Sequence, residues 1–270
     1  MAAPRIAIAF FGITRSLDHT LPSIERNVVG PARDAGAVTV YAHFFEQTAI
    51  DNPRSGEKAM LNPNDHKRLP IDHLHLEAPN ACLALRDFEG FQAWGDPWAD
   101  DFRSLRNLIH QLHSLACVSR RVLEDGADIC LFVRPDLRYL DSFAPVLQAA
   151  LRGTEPRVWT PDWQPFGGLN DRFSLCRGAE AIAAYGGRIA AAKPFCSAQD
   201  RPLHAEELVA FALKNAGIPV TPMPLRASRV RVDGSVPPQD QFPNLAKRMG
   251  KAAFEQLGLW KHLQRMRGRA

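Results

Sequence analysis

A run of five apolar residues that ends against a charged, proline-broken triplet constrains this chain most. Residues 129–133 (ICLFV) carry β-branched and aromatic side chains with no polar interruption, bounded by Gly126 upstream and Pro135 downstream. Apolarity that is continuous over so short a run suits a strand covered on both faces, and such strands belong to parallel sheets. Pro135 cannot donate to a ladder, so the strand stops there. Arg134 and Asp136 are thereby held on rigid backbone just past the carboxyl end of the strand, where ligands bind in open α/β sheets.

The flanking chain repeats this alternation of strand and helix. Residues 5–11 (RIAIAFF) read as a first buried strand, followed by the glycine-containing loop Gly12-Ile13-Thr14-Arg15-Ser16. A helix then begins at 18–20, with Leu21, Ile24, Val28 and Val29 facing inward. Residues 37–45 form a second strand, and 47–80 turn polar and proline-rich, the mark of an irregular lobe or mobile loop. Asp100 or Asp101 opens a long amphipathic helix reaching Glu124, with Gln111, His113 and Ser114 near its middle. Helices are expected over 142–151, 180–192 and 204–215, and strands over 157–160, 219–220 and 225–232. The whole is an α/β chain with a Rossmann-like sheet flanked by helices.

The length fits one large α/β domain or two small ones, and the composition is ordinary for a globular protein: 270 residues, 46% hydrophobic and 23% charged, without a low-complexity tract. The five cysteines form no CxxC pair and are odd in number, which points to thiols in a reducing compartment. The first apolar run is too short to span a membrane and no small-residue cleavage site follows it, so a cytoplasmic protein is expected. The net charge of +4 is unevenly placed. From 244 to 270 seven Lys/Arg face Glu255 alone, so the tail carries +6 and the remainder −2. The organisation expected is a domain over 1–233, a Pro/Gln-rich linker over 234–243 and a short basic helical tail over 244–270. Leu257, Trp260 and Leu263 can share one face of that tail among its cations, a pattern that serves either peripheral membrane contact or packing on the domain. No aromatic interleaving of the basic residues points to a nucleic-acid partner.

Several familiar sites are absent: there is no G-x-G-x-x-G, Walker A loop, H-E-x-x-H or G-x-S-x-G. That argues against dinucleotide oxidoreductases, P-loop kinases, zinc proteases and α/β-hydrolases, and the first loop is too poor in glycine for a methyltransferase. Asp136 remains as a strand-end carboxylate able to hold Mn²⁺ or Mg²⁺ through hard oxygen ligands. Arg15 is either a phosphate ligand or a solvated loop residue. Asn170-Asp171-Arg172 is either a site segment or a polar turn. Glu206, in His204-Ala205-Glu206-Glu207, also fits as a first-turn acid answering the helix dipole. His73 and His75 read as strand or surface histidines rather than metal ligands.

Taken in order, IAIAFFGITRSL, LFVRPDLRY, GGLNDRFSLC and His204-Ala205-Glu206 resemble the bacterial GT-A-type glycosyltransferases associated with capsule or lipopolysaccharide synthesis. The resemblance implies a GT-A sheet binding a nucleotide-sugar donor, with a glycan or lipid-linked acceptor. It puts Arg134-Pro135-Asp136 in the place of the Asp-x-Asp motif, with Arg134 where the first acid stands. By that resemblance Thr14, Arg15, Arg134, Asp136, Asn170 and Arg172 bind the donor, Asp136 holds Mn²⁺ or Mg²⁺, Asp171 is the acid near the sugar, and Glu206 orders the site. A non-catalytic nucleotide- or glycan-binding module on the same fold is the alternative.

Overall fold

The apolar run that dominates the sequence lies inside the main sheet. A computed structural model describes residues 4–52 and 56–243. In chain order these form β1 (Ile6–Gly12), α1 (Leu17–Ile24), a π-helical turn (Glu25–Val29), α2 (Gly30–Ala35) and β2 (Val38–Phe45). A hairpin of β3 (Ala49–Asn52) and β4 (Glu57–Met60) follows, then β5 (His73–Glu77), α3 (Ala81–Leu85), α4 (Phe88–Gln92) and α5 (Arg103–Glu124). The second half holds β6 (Ile129–Val133), β7 (Leu137–Tyr139), α6 (Ala144–Arg152), β8 (Arg157–Pro161), β9 (Ser174–Arg177) and α7 (Ala179–Gly186). It closes with α8 (Ala192–Gln199), α9 (Ala205–Asn215), β10 (Val220–Met223) and β11 (Ala227–Arg229).

The main sheet has seven strands in the order β10-β8-β9-β6-β1-β2-β5. β5, β2, β1 and β6 run parallel, with Phe10 opposite Ala42 on one side and Val133 on the other. β9 is antiparallel to both β6 and β8. This is the expected Rossmann-like α/β sheet flanked by helices. The chain crosses from β1 outward to β2 and later returns to β6, so the carboxyl ends of β1 and β6 lie side by side where the order reverses, the usual ligand crevice.

Side-chain alternation along β1 explains the layers. Ile6, Ile8 and Phe10 join a core with Leu17, Ile24 and Val28 of the first helical segment and Leu147 of α6. Ala7, Ala9 and Phe11 face the other way, into a core with Leu115 and Val118 of α5, Ile182 of α7 and Val209 of α9. The small alanines let α5 approach the sheet closely. Beyond it a satellite cluster packs Phe88, Phe91 and Ile109 against Phe195 and Leu208.

Most expected elements are found within a few residues of their bounds, and the differences have local causes. The stretch 47–80 is not irregular throughout: it folds into the β3–β4 hairpin and the edge strand β5, whose residues 73–76 are all exposed. Few apolar residues marked these pieces, because an edge strand has little to bury. The helix expected over 180–192 breaks at Gly186-Gly187 into α7 and a 3₁₀ turn, Arg188–Ala191. Helices α3, α4 and α8 were not foreseen; each has five to eight residues and is held by the satellite cluster rather than by its own propensity. α5 begins at Arg103 with Phe102 at its N-cap, and Asp100, just ahead of it, accepts from Ser104 N at 3.2 and 3.1 Å. The basic tail over 244–270 lies outside the described residues.

Candidate functional site

The first loop, the end of β6 and the middle of α5 converge on one buried carboxylate. Asp136 is fully buried, and its two oxygens take three guanidinium donors: Arg134 Nε to Oδ1 at 2.9 Å, Arg134 Nη2 to Oδ2 at 2.8 Å and Arg15 Nη2 to Oδ2 at 2.8 Å. Burial alone would push this carboxyl up, but Arg134 and Arg15 overcome that and hold it at about 2. Burial likewise works against the Arg134 charge, and Asp136 raises that guanidinium above its ordinary range. Both partners are therefore charged across the whole working pH range. Pro135 places the pair: it ends the strand, and its carbonyl accepts from Thr20 Oγ1 at 2.7 Å, pinning the turn to α1.

The network extends in both directions. Arg15 Nη1 donates to Glu57 Oε2 at 2.7 Å, and Glu57 Oε1 accepts from Val232 N at 2.9 Å. Arg134 Nη1 donates to Gln111 Oε1 at 2.9 Å, and Gln111 Nε2 donates to Asp171 Oδ2 at 2.8 Å. One amide thus ties the arginine pair to the acid of the 170–172 segment. Asn170 is buried and orders that segment, donating to Trp163 O and accepting from Arg172 N. Arg172 lies over the Trp163 ring at 4.9 Å and pairs with fully buried Asp240 at 2.8 Å. The second oxygen of Asp240 is 3.4 Å from Arg229 Nε, so a residue of the 234–243 stretch holds two arginines from below.

These groups surround a cavity of about 710 Å³ at the carboxyl ends of β1 and β6. Arg15, Arg134, Arg172, Arg229 and Arg231 line it, while Glu57, Asp136 and Asp240, which hold four of them, are absent from its wall. Asp171 and Glu206 also face the cavity. Glu206 enters from the first turn of α9, and Gly168 brings that turn close: a Cβ there would lie 2.1 Å from Glu206 O. Thr14 stands apart in a neighbouring cavity of about 370 Å³, beside Asn62 and Lys67. Of the residues singled out from sequence, Arg15, Arg134, Asp171, Arg172 and Glu206 share the cavity. Asp136 and Asn170 support it from beneath, and Thr14 borders the adjoining space.

Sequence reading passed over Glu57, Arg229 and Asp240, and noted Gln111 without a role. No local spacing could have linked them: Arg15 and Glu57 are 42 residues apart, Arg172 and Asp240 are 68. Asp136 is also a poor cation ligand as it stands. A divalent ion on its oxygens would displace guanidinium donors and sit beside two positive charges within a water-excluded site, so its surroundings do not fit Mn²⁺ or Mg²⁺. Among the described residues, the group suited to a metal lies elsewhere, at His43, Glu77, His113 and Cys117.

No family model matches this chain, and no curated protein matches it. Among solved structures it is similar to mouse xyloside xylosyltransferase 1 in its apo form, at 9% identity over 82% of this chain and 85% of that one, with a TM-score of 0.44. Among the described residues no helix is long and apolar enough to cross a membrane.

Proposed function

We propose that this protein is a glycosyltransferase that moves a sugar from a nucleotide-sugar donor to a glycan or lipid-linked acceptor in bacterial surface-polysaccharide synthesis. The observation that carries this reading is the set of five arginines facing a cavity at the sheet's switch point, four of them braced by acids beneath them. Guanidinium groups pair bidentately with phosphate oxygens, and a donor diphosphate is the ligand such a lining neutralises best. As the bond from the anomeric carbon to the diphosphate oxygen breaks, its electron pair leaves with the nucleoside diphosphate. Pre-positioned arginines stabilise that charge without rearranging. The acceptor oxygen forms the new bond to the anomeric carbon and gives its proton to Asp171, whose carboxylate is aimed by Gln111. Glu206 closes the sugar end. Thr14, at the mouth of the adjoining cavity, serves the nucleoside portion.

In this reading arginines replace Mn²⁺ or Mg²⁺ at the diphosphate, and Asp136 orients them. The reading also places the protein in the cytoplasm, with the basic tail over 244–270 docking on anionic lipid to meet its acceptor. If the full chain and a chain ending at Pro243 sediment equally with anionic vesicles, the docking role falls.

The test of function is a thermal-shift panel of nucleoside diphosphates and sugar nucleotides, with Mn²⁺ and with EDTA, followed by assay of nucleoside diphosphate release. A ligand of the native state must raise the melting temperature. The expected result is a selective rise that persists in EDTA, shrinks in Arg229→Ala and accompanies sugar turnover. A rise without turnover favours a nucleotide- or glycan-binding module, a reading that the burial of the strand-end acid also supports. No rise with any nucleotide overturns both nucleotide readings.

A further inference from the structure

A second polar cluster, on the side of α5 away from the arginines, has no role in the proposed transferase. Glu77, the last residue of edge strand β5, directs Oε2 at two imidazoles, with His43 Nε2 at 3.1 Å and His113 Nε2 at 2.8 Å. Cys117 Sγ lies 3.3 Å from the same His113 nitrogen. His113 and Cys117 are four residues apart on α5 and therefore share one face. The four potential ligand atoms all lie within 4.8 Å of one another.

We propose that His43, Glu77, His113 and Cys117 bind a zinc ion that clamps the edge of the sheet to helix α5. Two imidazoles, a thiolate and a carboxylate are a tetrahedral donor set of the kind zinc accepts, and its bonds of about 2.0–2.3 Å require the donor pairs in hydrogen-bond contact to open slightly and the widest pairs to contract. The charges balance, since one thiolate and one carboxylate offset the dication. The two histidines are buried, whereas Glu77 is 21% exposed at its side chain and Cys117 is half-buried, which leaves the ion a way in. Geometry also gives the clamp a purpose. Among the described residues β5 pairs only with β2, and its residues 73–76 are exposed, so little apolar burial holds this strand to the body.

Binding is an exchange of protons for metal. Cys117 loses its thiol proton to solvent, and the proton on Nε2 of each imidazole passes to Nδ1. No hydrogen bond fixes the His43 tautomer at Nδ1, which is buried without a partner among the described residues. At His113, Nδ1 accepts from Arg86 Nε at 2.9 Å, and this contact must open as the ring turns donor there. Arg86 is half-buried on a flexible stem and can withdraw.

The experiment uses the untagged full chain, stripped with chelator and then titrated with Zn²⁺ and, separately, Co²⁺. One zinc per chain should remain after desalting, and zinc should raise the melting temperature. The Co²⁺ form should show a thiolate-to-metal charge-transfer band. Cys117→Ser should abolish that band and weaken zinc binding at least tenfold while the circular dichroism is unchanged. His75→Ala, which removes an exposed ring stacked on His43 at 5.0 Å, should retain zinc. Failure of the wild type to hold zinc overturns the proposal. So does zinc that survives Cys117→Ser but is lost in His75→Ala, which would move the ion to surface histidines. None of these readouts depends on nucleotide binding.

Discussion

Helix α5 carries two polar clusters on opposite sides, and they are built from opposite kinds of chemistry. Gln111 reaches the arginine network, and His113, two residues on, meets Glu77 and Cys117. Residues two apart on a helix do not face each other, so α5 separates the clusters as a wall does. The arginine network is made of groups that stay charged at any ordinary pH, held in fixed directions by buried acids. The histidine cluster is made of neutral rings, a thiol and a partly exposed acid, whose protons can be exchanged. The first is suited to neutralising a fixed anion such as a diphosphate, and the second to taking up a cation. The difference shows that burial alone does not define a site. What the buried groups can release or retain decides it.

The comparison breaks most directly at Asp136. Asp136→Asn takes from Arg134 its buried carboxylate and leaves Arg15 with Glu57 alone, and removing one partner of a buried pair costs about 3–5 kcal/mol. Urea denaturation should show that loss; a change below about 1 kcal/mol would mean that water or other groups already screen the pair.

Acid gives the next effect. The Asp136 carboxyl is depressed to about 2 in the folded chain, against about 3.9 unfolded, so its contribution is complete above the unfolded value. It is lost as pH falls from about 4 toward 2, a change of roughly 2–3 kcal/mol. Stability measured against pH should therefore slope downward below pH 4 in the wild type and lose that part of its slope in Asp136→Asn. Parallel curves would remove Asp136 as the acid-sensitive group.

Glu77→Gln should cost less, about 1–2 kcal/mol in metal-free protein, because its partners are neutral imidazoles and its side chain is partly solvated. A loss equal to that of Asp136→Asn would erase the contrast between the clusters. Smallest of all is Leu74→Ser on the exposed edge strand, expected to stay within about 0.5 kcal/mol by the same denaturation. A larger loss there would show that β5 is held by more than its end.

The legible part of this molecule is the part whose signal is local. Residues 6–11, 37–45 and 129–133 are mostly apolar stretches whose centres are buried, and α5 carries an apolar stripe from Leu105 to Val122 that matches its observed length. Arg134-Pro135-Asp136 at a strand end and the polar triplet at 170–172 were recognisable for the same reason: a proline stop and a break in apolarity are written in adjacent residues. Edge strand β5 and the short helices were not, since they are stabilised by partners outside their own segments, and the hairpin was not because its two short strands pair with each other and bury few apolar residues.

The chain by itself determined the strands, the long helix and the placing of charge beyond the end of β6, because periodicity and proline chemistry act over a few residues. Only the tertiary structure decided that Asp136 faces two arginines, that Gln111 joins Arg134 to Asp171, that Asp240 holds Arg172 and Arg229, and that His43 and Glu77 meet His113 and Cys117. Those meetings span from two residues to 121. A charge cannot choose its partner until sheet and helices have excluded the water that would otherwise satisfy it.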